Sequence, residues 1–239
     1  MKYVFNWSGG KDSSLALWYC QKQGLEISKL LTTVSDEGRI TMHGVENDLL
    51  IEQARKIGVD IQQIVLPHNC SMPHYSELMQ KAWQELLDEG ISNSVFGDIY
   101  LEDLRKYRDI HSEQIGVSNH YPIWKKDTKK LAQEFIESGF KTIIVCVDAK
   151  VLDKSFVGRE YNQEFLNDLP EGVDPCGEKG EFHTYCYDGP IFSSAIKFRK
   201  LEVVKKHYEA QKTSEDECFK SDANNWNTGF WYQNLKLER

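Results

Sequence analysis

The residues with the clearest chemical potential form a hexapeptide near the start of the chain, Ser8-Gly9-Gly10-Lys11-Asp12-Ser13. Its two glycines allow the backbone to approach a ligand closely, and Lys11 supplies a full positive charge. The apolar run over residues 3–7 predicts a buried strand, and the helical spacing up to Gly24 predicts a helix. A helix start directs N–H groups and a positive dipole end at its ligand, so this strand-to-helix turn suits an anion, above all a polyphosphate.

Two familiar phosphate-binding patterns do not describe this turn. A Walker A loop needs G-x-x-x-x-G-K-[ST], and a dinucleotide-binding fingerprint needs G-x-G-x-x-G. Neither pattern is present at residues 8–13. A glycine-rich turn that binds nothing is the plainer alternative, and the residues of the turn leave it open.

A second group of chemically active residues spans Cys176-Gly177-Glu178-Lys179-Gly180-Glu181-Phe182-His183-Thr184. Its carboxylates, imidazole and hydroxyl could grip a polar acceptor, hold Mg²⁺ or move a proton. Glu178 and Glu181 are expected to reach one cavity, with His183 on the same strand face as Glu181. A hydrophilic hairpin loop without chemistry fits the composition equally well.

The elements that must position these residues alternate between short apolar strands and amphipathic helices over residues 1–148. Five predicted helices end at a glycine, and the predicted strands cover residues 3–7, 27–34, 61–66, 94–96 and 142–147. This alternation predicts an α/β fold, a doubly wound parallel sheet with helices on both faces. Ligands then bind at the carboxyl ends of the strands.

The pattern changes after Asp148, which predicts a first domain over residues 1–148 and a smaller α+β domain over residues 149–239. In the second domain, residues 182–187 and 192–204 alternate like two strands joined in a hairpin at Asp188-Gly189-Pro190. The tail from residue 208 has no period that assigns it.

Composition narrows the classes of function. The net charge is −8, and no basic block stands out, which excludes a broad nucleic-acid surface. Six cysteines without a C-x-x-C pair indicate neither a zinc knuckle nor a disulfide framework. No signal peptide and no apolar run of about 18 residues is found, so we expect a cytoplasmic protein without a membrane partner.

The motifs together resemble a known family. Residues 8–13 resemble the S-G-G-x-D-S loop, or PP-loop, of the ATP pyrophosphatases. Met42-His43, the run Val95-Phe96-Gly97-Asp98-Ile99, and residues 177–184 with a following Asp-Gly-Pro extend the likeness to the diphthine–ammonia ligases, over roughly residues 1 to 200. The PP-loop indicates only the superfamily, whereas G-E-x-G-E-[FY]-H-T followed by D-G-P is far more specific.

The resemblance implies an adenine nucleotide α-hydrolase-like first domain that binds ATP and Mg²⁺, and a smaller domain that helps to form the acceptor site. The family reaction converts the carboxyl group of diphthine, on translation elongation factor 2, into an amide. It uses ammonia and ATP and releases AMP and pyrophosphate. The expected partners are ATP, ammonia and either elongation factor 2 or an unknown small carboxylate.

The resemblance also implies roles for individual residues. Lys11 would offset phosphate charge, Asp12 would orient towards the metal, and Arg105 would stabilise the transferring adenylyl group. Met42 and Gly97 would line the adenine and ribose pocket. The expected nucleotide-binding set is Ser8, Gly9, Gly10, Lys11, Asp12, Ser13, Met42, His43, Gly97 and Asp98; the expected catalytic set is Lys11, Asp12, Arg105, Glu178, Glu181, His183 and Thr184.

One departure concerns the acceptor. Family ligases commonly read Gly-Ala-Ile and then Tyr-Gln-Arg where this chain has Gly97-Asp98-Ile99 and Asp103-Leu104-Arg105. A change at the mouth of the expected site points to a different acceptor. Two other functions remain as alternatives: a nucleotide sensor that binds ATP or AMP without turnover, and a tRNA-thiolating enzyme, which would require a basic appendage and a persulfide cysteine.

Overall fold

A five-stranded parallel sheet forms the first half of the chain in the computed structural model, which describes residues 1–38, 44–208 and 228–238. Met42 and His43, two of the expected nucleotide-binding residues, lie outside the described residues. The strands are β1 (Lys2–Asn6), β2 (Glu26–Ser35), β3 (Ile61–Leu66), β4 (Asn93–Val95) and β5 (Ser118–His120). Their order is β3-β2-β1-β4-β5, with every neighbouring pair parallel.

Helices cover both faces of this sheet, which confirms the predicted α/β class. They are α1 (Lys11–Lys22), α2 (Asn47–Ile57), α3 (Met72–Asp88), α4 (Glu102–Gln114) and α5 (Thr128–Glu137). Successive residues of a strand point to opposite faces, and in the central strand Val4 and Phe5 are both fully buried, each in a different apolar cluster. None of the helices within the described residues is both long and apolar enough to traverse a lipid bilayer.

A second, antiparallel sheet contains the strand that we predicted to complete the first half. It comprises β6 (Lys141–Asp148), β7 (Phe182–Asp188), β8 (Phe198–Tyr208) and β9 (Thr228–Leu237) in the order β7-β6-β9-β8, and the short helix α6 (Gln163–Asp168) precedes β7. The assignment of residues 142–147 to the first half was wrong, because β6 pairs with β7 and β9. A run buried on both faces suits the interior of either sheet. The domain boundary after residue 148 stays a prediction.

The predicted hairpin at Asp188-Gly189-Pro190 is also wrong. β7 and β8 lie at opposite edges of the sheet, separated by β6 and by β9, which comes from the unassigned tail. Gly189 (φ 145°) packs against the ring of Phe140, where a Cβ atom would collide with it. The turn residues therefore predict that the chain turns, but they do not determine which strand the following segment pairs with.

The hexapeptide turn follows β1 and lies against the second sheet. The backbone N–H of Cys186 in β7 donates to the carbonyl of Gly9 at 2.9 Å. Fully buried Gln53 in α2 donates to the carbonyls of Gly9 (2.9 Å) and Cys186 (2.6 Å) and accepts from the indole N–H of Trp7 (2.9 Å). One side chain thus joins the end of β1, the turn and β7.

Gly9→Ala should lower the free energy of unfolding by about 2–4 kcal/mol. Gly9 has φ +77°, and an added Cβ atom would lie 2.7 Å from Oε1 of Gln53 and 2.8 Å from Cδ2 of Leu50. Backbone strain and overpacking of a buried site then act together. Urea unfolding monitored by circular dichroism measures the change.

Gly24→Ala is the matched control, because Gly24 has φ +70° and no atom within 4 Å of the added Cβ position. It carries the backbone strain alone and should cost about 1 kcal/mol. Equal losses in the two variants would show that the space beside Gly9 does not constrain the turn.

Candidate functional site

The hexapeptide turn is closed by its own two serines. The hydroxyl oxygens of Ser8 and Ser13 lie 2.6 Å apart, and the Ser8 N–H donates to Oγ of Ser13 at 3.3 Å. The N–H of Gly10 donates to Oγ of Ser8, also at 3.3 Å. Helix α1 begins at Lys11 with Gly10 at its N-cap, so no side chain of the cap residue bonds the first turn. A helix start without such a cap can accept an anion.

Thr184 holds the start of this helix. Its buried hydroxyl oxygen accepts the backbone N–H of Lys11 at 2.9 Å, across a sequence separation of 173 residues. The structure therefore brings Thr184 to the turn, where it contacts the turn's backbone. Its expected role of holding an acceptor stays a prediction.

Lys11 lies among protein groups. Its side chain is only 4% exposed, and its Nζ lies 2.7 Å from both carboxylate oxygens of Asp12 and also donates to the carbonyl of Cys176. The rings of Tyr161 and Phe182 lie 5.8 and 5.7 Å away. Burial alone would lower the pKa of this ammonium, but the Asp12 carboxylate opposes it and the pKa of Lys11 is raised. Lys11 thus stays charged and joins the turn to the Cys176 loop.

Three carboxylates lie close enough to one another to interact electrostatically. The side chain of Asp12 is 31% exposed beside Lys11. Burial, together with the nearby Asp12 carboxylate, raises the pKa of Glu178 to about 7. Burial also raises the pKa of Asp98, against the effect of Arg108, which donates from Nη1 to Oδ2 of Asp98. This negative charge, beside a turn suited to anions, would be offset by a cation.

Glu178 connects the Cys176 loop to the loop at the carboxyl end of β4. Its Oε2 accepts the backbone N–H of Tyr100, in the loop between β4 and α4, at 3.2 Å. In the same loop, a Cβ atom on Gly97 would lie 3.1 Å from the backbone of Ser13. The backbone that approaches Gly97 closely is therefore that of the hexapeptide turn. The lining of an adenine pocket by Gly97 stays a prediction.

Glu181 points into its own loop. Its side chain is buried, and its two carboxylate oxygens accept the backbone N–H groups of Asp174 (3.0 Å) and Lys179 (2.9 Å). The expectation that Glu181 and Glu178 serve one cavity is not met. Gly177 and Gly180 both have positive φ and curl the loop, so residues three apart do not stay on one side of it.

The expected catalytic residues His183 and Arg105 lie in β7 and α4, respectively. His183 is half-buried in β7, on the sheet face opposite Thr184 because successive strand residues alternate. Arg105 in α4 packs on the rings of Tyr121 and Trp124, and the arginine that reaches Asp98 is Arg108. Arg108 was missed, although residues three apart share a helix face and Arg105 was already singled out.

Other site residues left no signal in the sequence. Asp174 orders the Cys176 loop by accepting the N–H of Cys176 at 2.7 Å and the hydroxyl of Thr128 at 2.8 Å. The carbonyl of Cys176 and the amide of Gln53 act through backbone contacts. Such contacts depend on where the chain passes and have no associated residue pattern.

The carboxylates of Asp12 and Asp98 fit a metal ion that arrives bound to a ligand. Within the described residues, no three His, Cys, Asp or Glu side chains are grouped so as to hold a metal by themselves. Mg²⁺ is commonly bound by one or two carboxylates together with substrate phosphates. Asp12 and Asp98 are carboxylates of that kind, and the repulsion among the three acids favours a divalent cation beside them.

Four of the five cysteines in the described residues are not set up as nucleophiles. Burial raises the pKa of Cys20, Cys146, Cys176 and Cys186 to about 12 in each case. A thiol with such a pKa is almost fully protonated at neutral pH, and reactive cysteines need the thiolate. This observation weighs against sulfur transfer through any of these four residues.

Two family models match the chain in sequence. The diphthamide synthase N-terminal domain matches residues 1–119, and the diphthamide synthase C-terminal domain matches residues 127–216. The matched ranges contain the hexapeptide turn and the Glu178 loop, respectively.

Three curated relatives are each named diphthine–ammonia ligase. A diphthine–ammonia ligase of Schizosaccharomyces pombe is 25% identical over 225 residues, which is 85% of this chain but 37% of that protein. One from Bos taurus is 36% identical over 87 residues, covering 34% of this chain and 33% of its own length. One from Mus musculus is 24% identical and covers 82% of both chains. The chain thus spans little more than a third of the length of the first of these relatives.

A solved U34-tRNA thiolase from Methanococcus maripaludis, with its [4Fe-4S] cluster, matches 57% of this chain and 56% of its own with a TM-score of 0.36 and 16% identity. That likeness is too low to carry an argument.

The two family models, which match in the same order as the motifs that they contain, account for most of the sequence. The chain belongs to the diphthamide synthase family.

Proposed function

We propose that this protein is an ATP-dependent ligase that forms an amide from a carboxyl group and ammonia and releases AMP and pyrophosphate. The proposal follows the relatives named diphthine–ammonia ligase. The observation that carries it is the junction at Lys11. There the turn that suits a polyphosphate meets residues 176–184, which carry the family's G-E-x-G-E-[FY]-H-T motif. A nucleotide sensor without turnover needs no such loop beside its phosphate turn.

ATP would bind with its β and γ phosphates at the start of α1. The donors are backbone N–H groups, held in place by the Ser8–Ser13 contact and by the bond from Lys11 N–H to Thr184. Donors fixed in advance are the most effective at stabilising charge that grows during a reaction. Lys11 would act from behind these N–H groups, on the side away from the ligand, because its Nζ is bonded to the carboxylate of Asp12 and the carbonyl of Cys176.

The bond changes of the proposed reaction balance in two steps. A carboxylate oxygen of the acceptor attacks the α phosphorus, the bond from that phosphorus to the oxygen bridging to the β phosphate breaks, and pyrophosphate leaves. Ammonia then attacks the carbonyl carbon, AMP leaves, and the surplus proton of the nitrogen passes to a base. When bound, Mg²⁺ would offset phosphate charge beside Asp12 and Asp98.

Glu178 is the residue best suited to take that proton. Its Oε2 is held by Tyr100 N–H, and no other described residue donates a hydrogen bond to its Oε1. Burial raises its pKa to about 7, close to the pH at which a general base works best. Glu181, whose carboxylate is used by its own loop, would keep that loop in shape.

The products distinguish this function from that of a kinase or an ordinary ATPase. In the presence of a carboxyl acceptor and ammonium, purified protein should convert ATP into AMP and pyrophosphate in equal amounts. Anion-exchange chromatography of the nucleotides and a coupled pyrophosphate assay measure both products. ADP as the main product would rule out the proposal.

Glu178→Gln should reduce AMP formation about a hundredfold, the scale of a lost general base, while ATP affinity changes by no more than a few-fold. With free ammonia held constant, the wild-type rate should rise as the pH increases through about 7, because Glu178 loses its proton there. The variant should lack that rise. Rates measured from pH 6 to pH 8.5, with calorimetric titration of Mg·ATP, test both statements.

Glu181→Gln is the paired control. It replaces a buried acceptor of two backbone N–H groups, so it should lower the free energy of unfolding by about 1–3 kcal/mol. Whatever rate it retains should keep the rise near pH 7. An unaltered pH profile in Glu178→Gln, or loss of the rise only in Glu181→Gln, would reject Glu178 as the base.

A further inference from the structure

Arg105 is held rigidly by three neighbours. Its guanidinium carbon lies 4.5 Å from the ring centre of Tyr121 and 4.6 Å from that of Trp124, and its Nε donates to Oδ2 of Asp109 at 3.3 Å. We call these four residues the arginine clamp. Arginine side chains lose much rotamer entropy when they are ordered, so an arginine fixed in advance can bind a ligand at lower cost.

Asp109 organises the clamp. Its Oδ1 accepts the amide N–H of Asn119 and the hydroxyl of Tyr121, each at 2.8 Å, while Oδ2 takes Nε of Arg105. One carboxylate therefore orients both the guanidinium and one of the rings on which it packs.

The outer edge of the guanidinium is uncommitted. Among the described residues, none accepts a hydrogen bond from Nη1 or Nη2 of Arg105, and the side chain is 34% exposed. The other cations near the site are already bonded, Lys11 to Asp12 and Cys176, and Arg108 to Asp98. Arg105 thus offers both of its terminal nitrogens, whereas Arg108 already gives Nη1 to Asp98.

The clamp adjoins the carboxylates of the site through a continuous stack. The rings of Tyr121 and Phe96 stack at 5.4 Å, the guanidinium of Arg108 lies 4.4 Å from the Phe96 ring centre, and Arg108 bonds Asp98. Phe96 and Asp98 both belong to the loop that follows β4.

We propose that Arg105 binds the carboxylate of the acceptor through Nη1 and Nη2, with Asp109 as its positioning residue. This assignment rests on the proposed function, and it gives Arg105 the acceptor in place of the adenylyl phosphate. A carboxylate that approaches Asp12, Asp98 and Glu178 is repelled by each of them, so its binding needs a cation that they do not already occupy. A guanidinium with two parallel N–H groups matches a carboxylate in a bidentate manner.

Arg159 offers a matched comparison. Its guanidinium carbon lies 5.4 Å from the ring centre of Phe156 and 5.6 Å from that of Phe165, as in the clamp, but its Nη2 is bonded to Asp168 at 2.7 Å. The two arginines share ring packing and an aspartate partner. They differ in that one terminal nitrogen of Arg159 is already bonded, whereas neither terminal nitrogen of Arg105 has an acceptor among the described residues.

Titration of the full chain by nuclear magnetic resonance tests binding directly. With ¹⁵N-labelled arginine, the Nε–Hε signal of Arg105, identified by its loss in Arg105→Lys, should shift saturably with sodium acetate and not with acetamide. The Arg159 signal should stay in place, and Asp109→Asn should weaken the acetate response at least fivefold. A linear shift, or equal shifts of the two arginines, would overturn the proposal.

A second arm separates the acceptor from the nucleotide. Calorimetric titration with Mg·ATP should give affinities within twofold of each other for wild type, Arg105→Lys and Arg159→Lys. A tenfold loss of ATP affinity in Arg105→Lys alone, or a saturable shift with inorganic phosphate but not acetate, would assign Arg105 to phosphate instead. If wild-type protein shifts with acetate yet never forms AMP, the ligase function fails while the clamp stands.

Discussion

The join between the hexapeptide turn and strand β7 is the constraint on which the site depends. The carbonyl of Gly9 accepts from Cys186, and the N–H of Lys11 donates to Thr184, so two residues two apart on β7 fix two points of the turn. Gln53 reinforces the join from α2. A turn that suits a polyphosphate needs a defined direction for each N–H group, and here that direction is set by a strand more than 170 residues away. The second sheet is therefore part of the structure of the turn as well as a neighbour of it.

The charged groups at this join form two ion pairs, and the two members of each pair differ in exposure. Lys11 is buried, and removing a buried charge's partner is costly, which ties Asp12 and the Cys176 carbonyl to it. Arg108 is likewise tied to Asp98. In the first pair Asp12 is the more exposed member, with 31% of its side chain exposed against 4% for Lys11. Asp12, Asp98 and Glu178 together thus favour a ligand that arrives with its own cation.

Local patterns predicted the part of the structure that local forces determine. The alternation of apolar strands with glycine-terminated helices gave the parallel sheet, and the glycines and charge of residues 8–13 gave the turn at the end of β1. Pairing partners are non-local, so the sheet of β6 and the partner of β8 could not be predicted from their own residues. Glu178 and Glu181 diverge because Gly177 and Gly180, both at positive φ, curl the loop. Gln53 acts where distant segments meet, which spacing along the chain does not reveal. Arg108 lies only 10 residues from Asp98 and shares a helix face with Arg105, so spacing could have indicated it.

The position of β9 has a consequence for the order in which the protein can form on the ribosome. β8 has β9 as its strand partner within the described sheet, and β9 also pairs with β6, although it is synthesised last of the three. The parallel sheet, β6 and β7 can assemble while the chain is still being extended, since domains tend to fold as they emerge. β8 must wait, with its edge unpaired, until residues 228–237 leave the exit tunnel. Until then the edges of β6 and β8 that β9 covers stay unpaired, and an unpaired strand edge can pair with another chain.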